Sequence, residues 1–221
     1  MADNVSLAFA NTAEWHAGPS PEERLTSYTG AVEWARDQGI LDEDQARHLK
    51  ARAQAHPSQE AEAMRRIIAL REAIYHLFSA VAHRRPPEPA DVQTLNAELA
   101  GALPHLQLVV TDGGEAAGDP AATRSRATGL PGFHWAWTGL GEHLVSFLWP
   151  VARDATELLT SHRLVQVREC AGDPCGWLFI DSSKNASRRW CDMADCGNRA
   201  KAQRYRARKK ATPQNAGAGD P

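Results

Sequence analysis

"RECAGDPCGWLFIDSSKNASRRWCDMADCGNRAKAQRYRARKK", residues 168–210, holds every cysteine of the chain, at 170, 175, 191 and 196, and closes on seven Lys or Arg residues behind the last of them. The thiols form two Cys-x4-Cys pairs separated by fifteen residues. Zinc prefers four tetrahedral ligands, and its binding supplies folding free energy to a segment too short to bury a core of its own. Two close pairs meet that need if the spacer folds back. GWLFID (176–181) predicts a short strand, SSKNAS (182–187) a turn and RRWC (188–191) a return. The usual ribbon has two residues inside each pair, and four is still within the range zinc ligands use. Two disulfides, free structural or redox thiols, and His162 in place of one cysteine are the competing readings.

The segment after Cys196 has high helix propensity, with Ala at 200, 202 and 207, and Asn198 is a suitable cap at its start. Arg199, Lys201, Arg204, Arg206, Arg208, Lys209 and Lys210 point nearly all the way round such a helix. Only Ala202 and Tyr205 remain as a docking edge, so the helix gains little by packing on its own protein. Against phosphates each cation releases condensed counterions, and Arg also reaches guanine edges in the major groove. Lys184, Arg188 and Arg189 in the turn extend the same positive surface. Candidate DNA contacts are therefore Lys184, Arg188, Arg189, Asn198, Arg199, Lys201, Arg204, Arg206 and Arg208. A solvated helix without a partner and an RNA-binding or ribosome-associated module are the alternatives, since basic helices bind both nucleic acids.

Charge divides along the chain. Residues 1–160 hold 13 Lys+Arg against 21 Asp+Glu, while residues 161–210 hold 12 against 5, within a formal net charge of -2 for all 221 residues. Polyanion contacts are thus expected in one place. MADNVSLAFANT has an acidic start and an apolar stretch broken by Ser6 and Asn11, and no later apolar run is long enough to span a bilayer, so a soluble, cytoplasmic protein is expected.

The front reads as mainly helical. Residues 25–56 predict two helices, with Gly39 as a stop, an Asp42–Gln45 capping box opening the second and Pro57 ending it. The strongest helix runs from about Ser58 to His83, with Met64, Ile67, Ile68, Ile74, Phe78 and Val81 on one face, and a shorter one carries Val92, Leu95 and Leu99. LQLVVTD and GFHWAWTG alternate with period two, predicting a hairpin with a long loop near 113–130. From Gly141, EHLVSFLWPVARDATELL returns to helix, with Pro150 as a kink or break. The fold class expected is α+β: a mainly helical domain (1–160) with a small hairpin or sheet, a small zinc-stabilised hairpin-plus-helix module (161–210) and a disordered tail (211–221).

At these residues the sequence resembles a known family. RECAGDPCGWLFIDSSKNASRRWCDMADC followed by CGNRAKAQRYRARKK is similar to the CGNR zinc finger, over about residues 161–208 and with all four expected cysteines. LAFANTAEW, AVEWARDQGIL, ALREAIYHLF, ADVQTLNAELA, FHWAW and LWPVARDATELLTS resemble the ABATE domain usually found with it. One departure is Ala8, which stands before Phe9-Ala10-Asn11-Thr12 where the family pattern commonly has an acidic residue. The resemblance implies a bacterial, stress-associated transcription regulator that binds double-stranded DNA through a C-terminal finger holding one Zn2+ per chain.

Arg71 lies on the apolar stripe of the long helix, where a buried guanidinium needs an anion or carbonyls. A structural salt bridge satisfies it; a pocket formed with Asn11, and with Trp135 or Trp137, would make it a receptor for a small anionic ligand. No nucleophile elbow, phosphate-cradling loop or HExxH motif is present, so no enzyme is expected. One finger has a small footprint, so specific DNA binding is expected to need a homodimer or a second contact surface, with the acidic front domain a source of the dimer interface.

Overall fold

The computed structural model describes residues 4–111 and 132–211. The opening stretch, read only as too broken for a leader, forms helix α1 (Val5–Ala10), because the Asn4 side chain accepts from the Leu7 N–H at 2.9 Å and caps it. A two-residue ladder, β1 (Ala13–Glu14) with β2 (Glu22–Glu23), follows. Helices α2 (Tyr28–Asp37) and α3 (Glu43–Ala55) stand where the periodicity placed them, and Gly39, at φ +74°, turns the chain between them. The Asp42–Gln45 capping box is formed in both directions, at 2.8 and 3.0 Å.

Pro57 does more than end α3: it is the first residue of α4 (Pro57–Ala82), where its missing N–H has no intrahelical partner to lose. The α4 helix is the hub. Its Ile67, Leu70, Ile74 and Phe78 are fully buried among Leu7 and Phe9 of α1, Tyr28 and Val32 of α2 and Val151 of the later helix Leu148–Leu159. Burial of each such side chain stabilises by about 1.5–3 kcal/mol. Helix α5 (Pro89–Ala102) packs on α4 and leads into the antiparallel hairpin β3 (Leu106–Thr111) and β4 (Gly132–Trp137). The loop expected near 113–130 lies outside the described residues, as does the expected tail apart from Ala211.

Two expectations are corrected. Helix α6 (Leu148–Leu159) begins seven residues later than Gly141, after a series of turns, so Pro150 sits in its first turn and neither kinks nor breaks it. In the cysteine module, the strand Leu178–Ile180 (β6) pairs not with RRWC but with Val167–Glu169 (β5), putting the first cysteine pair in the hairpin loop. Residues 188–191 return without a strand, held by the Arg188 N–H donating to Asp181 at 2.9 Å, the Ala171 N–H donating to the Arg189 carbonyl at 2.8 Å and the Cys191 N–H donating to Cys170 Sγ at 3.3 Å. A π-helical turn (Met193–Gly197) then runs into α7 (Asn198–Ala211). The architecture is α+β, a mainly helical front domain followed by a small hairpin-plus-helix module.

Candidate metal centre and basic helix

The β5–β6 loop carries Cys170 and Cys175, and Cys170 N–H closes it onto the Trp177 carbonyl at 2.8 Å. Its geometry requires Gly176: at φ +72°, a Cβ there would lie 2.5 Å from the Ala17 nitrogen and 2.9 Å from the Tyr75 hydroxyl. Cys191 stands two residues before the π-helical turn and Cys196 lies within it. Asp192 caps that turn, accepting from Ala194 and Asp195 N–H groups, so Asn198 is not the cap expected of it. Asn198 is already helical, and its amide donates back to the Ala194 carbonyl at 2.8 Å. Asp181 organises the intervening turn: buried, it accepts from Ser183 and from the Arg188 N–H.

These constraints bring the four sulfurs within 4.8 Å of one another. Cys175 Sγ and Cys196 Sγ each lie 3.7 Å from Cys191 Sγ, and no pair is disulfide-bonded. With Zn–S bonds of about 2.3 Å, a tetrahedral thiolate site has sulfur–sulfur edges of about 3.8 Å. The donor set fits zinc in number, softness and spacing. Hydrogen bonding from Cys191 draws the Cys175 thiol down to about 5, and donating that bond pushes Cys191 up; burial pushes Cys196 up to about 11. So crowded a set of thiols carries its negative charge only with a cation among them. Trp15, Trp177, Phe179 and Trp190 pack around the cluster.

The basic residues divide into two groups. Arg188 lies over Phe179, 4.8 Å from the ring centre, and donates to the Trp190 and Cys191 carbonyls. Arg199 lies 4.5 Å over Trp15, donates to Cys196 Sγ at 2.9 Å and pairs with Asp195 at 3.5 Å. Arg189 and Arg204 flank Trp190, 5.5 and 5.9 Å from its centre. Lys184 in the turn and Lys201, Arg206 and Arg208 on α7 are exposed. Residues 201–209 are exposed on every side, and Tyr205, proposed as a docking edge, is 69% exposed.

Asn11 and Arg71 are not brought together. The Asn11 side chain bonds both the N–H and the carbonyl of Leu178 at 2.9 Å, fastening β6 to the end of α1. Arg71, 3% exposed, is held by Glu23 at 2.6 Å and Glu72 at 2.7 Å, the internal salt bridge that was the competing reading. They line different cavities, of about 770 Å³ for Asn11 and about 300 Å³ for Arg71. Trp135 lies under the Arg153 guanidinium and Trp137 beside Trp149, away from both. Sequence reasoning missed Trp15 and Asp192. An aspartate directly after a cysteine and before a short apolar turn is the signal that would have found the second; Trp15 carries none, since only the fold brings it to Arg199.

Fold and site together define a zinc-finger protein with a helical partner domain. Residues 166–209 match the CGNR zinc finger model, and residues 3–162 match ABATE, described as "Putative stress-induced transcription regulator". The chain belongs to the ABATE family and ends in a CGNR zinc finger; neither is an enzyme family. Its cofactor is one Zn2+, consistent with the clustered thiols. Comparison with curated proteins gave no match. Among the described residues no helix is long and apolar enough to cross a membrane.

Proposed function

We propose that this zinc-binding regulator acts by binding duplex DNA through α7, with Cys170, Cys175, Cys191 and Cys196 holding the ion that anchors the helix. The observation that carries this reading is α7 itself, a helix exposed on every side over residues 201–209 with cations all round it, rising from the last cysteine. A helix polar on all faces gains stability from a partner rather than from its own core, and phosphates supply it. Lys201 and Arg206 are the contacts best placed on it, with Lys184 extending the surface. Arg188 and Arg199 act as positioning residues, since their guanidinium groups are already engaged within the module.

The front domain is the regulatory half. The cavity of about 770 Å³ lies between α1, α2 and β6, lined by Leu7, Trp34, Trp177 and Phe179 among others, so a small molecule there touches both halves. The test is zinc analysis of the reduced protein followed by selection from a random duplex library near physiological salt, with and without chelator. One zinc per chain and chelator-sensitive enrichment of a short sequence is the expected result. Zinc with enrichment of RNA alone would replace this reading by the RNA-binding one.

A further inference from the structure

The β3–β4 hairpin carries an apolar face that the described residues leave largely uncovered. In its register Leu106 stands opposite Trp137, Leu108 opposite Trp135 and Val110 opposite Phe133. Facing residues of an antiparallel pair point the same way and alternate residues share a side, so these six form one face. At its base Trp137 leans on Trp149 of α6, 6.2 Å between ring centres, and Arg153 covers part of Trp135. Beyond that support, Leu108 is 57% exposed, Val110 49%, Phe133 54% and Trp135 53%. A solvated hairpin face is ordinarily polar. Taking aromatic side chains at roughly 150–250 Å² each, the four leave on the order of 400 Å² of continuous apolar surface, at the size that marks an interaction site.

The occupant is constrained by charge and by composition. No charged residue lies among the six, so a polyanion or a charged peptide gains nothing there. Residues 112–131, which join the two strands, contribute a single large apolar residue, Leu130. A second copy of the chain presents the same face, whose neighbouring cation Arg153 is paired with Glu157, and a two-fold axis sets apolar against apolar. We propose that two copies associate through this face, hairpin packed on hairpin. Two such patches remove on the order of 800 Å² from water, a little below the roughly 1,000 Å² that marks a specific stable interface. The area describes a concentration-dependent dimer rather than an obligate one.

This association is independent of the DNA reading and is measured without nucleic acid. Sedimentation equilibrium of the zinc-loaded full chain, from about 1 to about 100 µM, should show the mass rising from 24.1 kDa towards twice that value. The double variant Leu108→Ser, Phe133→Ser should raise the dissociation constant at least roughly tenfold. Val109→Ser, on the opposite face of β3, should leave it unchanged. Leu108→Ser alone, at so exposed a position, keeps the test usable should the double variant fold poorly; zinc content and circular dichroism report that. A wild-type chain that stays monomeric throughout overturns the proposal. So does a dimer unaffected by the face variants, or one weakened equally by Val109→Ser, which would mean pairing along a strand edge.

Discussion

A guanidinium buried at Arg71 needs negative charge within reach, and α4 supplies part of it one residue on. Glu72 accepts from Arg71 Nε and Nη2, Glu23 on β2 takes Nη1, and His16 Nε2 lies 2.9 Å from the other Glu72 oxygen. Burial works against charge on Glu72, yet the bonds from His16 and Arg71 outweigh it and hold the carboxyl at about 2, below its ordinary 4.5. The folded chain therefore binds this proton less readily than the unfolded one. The stability Glu72 contributes is complete above about pH 4.5 and drains away as the pH falls towards 2. Glu72→Gln should cost about 2 kcal/mol at neutral pH, because it leaves part of a buried guanidinium unpaired. In urea melts the gap from wild type should close as pH drops below about 4.5; a gap that persists unchanged at low pH would mean the loss is one of packing rather than charge. The sequence placed Arg71 on the apolar stripe and named a salt bridge as one of two outcomes. It did not name the partners, because Glu23 reaches Arg71, and His16 reaches Glu72, only through the fold.

At the scale of elements, α7 and the turn before it separate exposed cations, which the proposed function assigns to phosphates, from cations engaged within the module. Lys201→Ala and Arg206→Ala should each lower the slope of log affinity for DNA against log salt by about one unit, since each removes one phosphate contact. Arg199→Ala should instead lower the melting temperature and loosen the module, because its side chain bridges Trp15 and Cys196. An Arg199 variant with wild-type stability and a lost salt-slope unit would reverse that assignment. Local signals were legible here where the cause is local. The capping box at Asp42, the stop at Gly39 and the β3–β4 alternation depend on neighbours a few residues away. The strand partner of Leu178–Ile180 was not: the sequence offered the adjacent RRWC, whereas β5 precedes the cysteines and is drawn in by its contact with α4.

At the scale of the molecule, the cysteine module is not a bead on a linker. Val167 and Leu178, 1% and 2% exposed, belong to the same core as the front domain, and the Asn11 amide bonds both sides of Leu178. Asn11→Ala orphans a half-buried N–H and carbonyl and should cost about 2–3 kcal/mol. It should also speed hydrogen exchange of the Leu178 amide well beyond that of the α4 amides. Unchanged exchange at Leu178 would show that apolar packing alone holds the module in place. The sequence by itself determined the mainly helical front, the four-thiol metal module and the confinement of net positive charge to the C-terminal part, because periodicity, cysteine spacing and charge are properties of the chain read in order. Only the tertiary structure decided which arginines are engaged within the module, that Asn11 fastens the finger and lies apart from Arg71, and that the described residues leave a hairpin face largely uncovered. Those outcomes depend on contacts between residues far apart in sequence, and no local pattern encodes which distant surface will arrive.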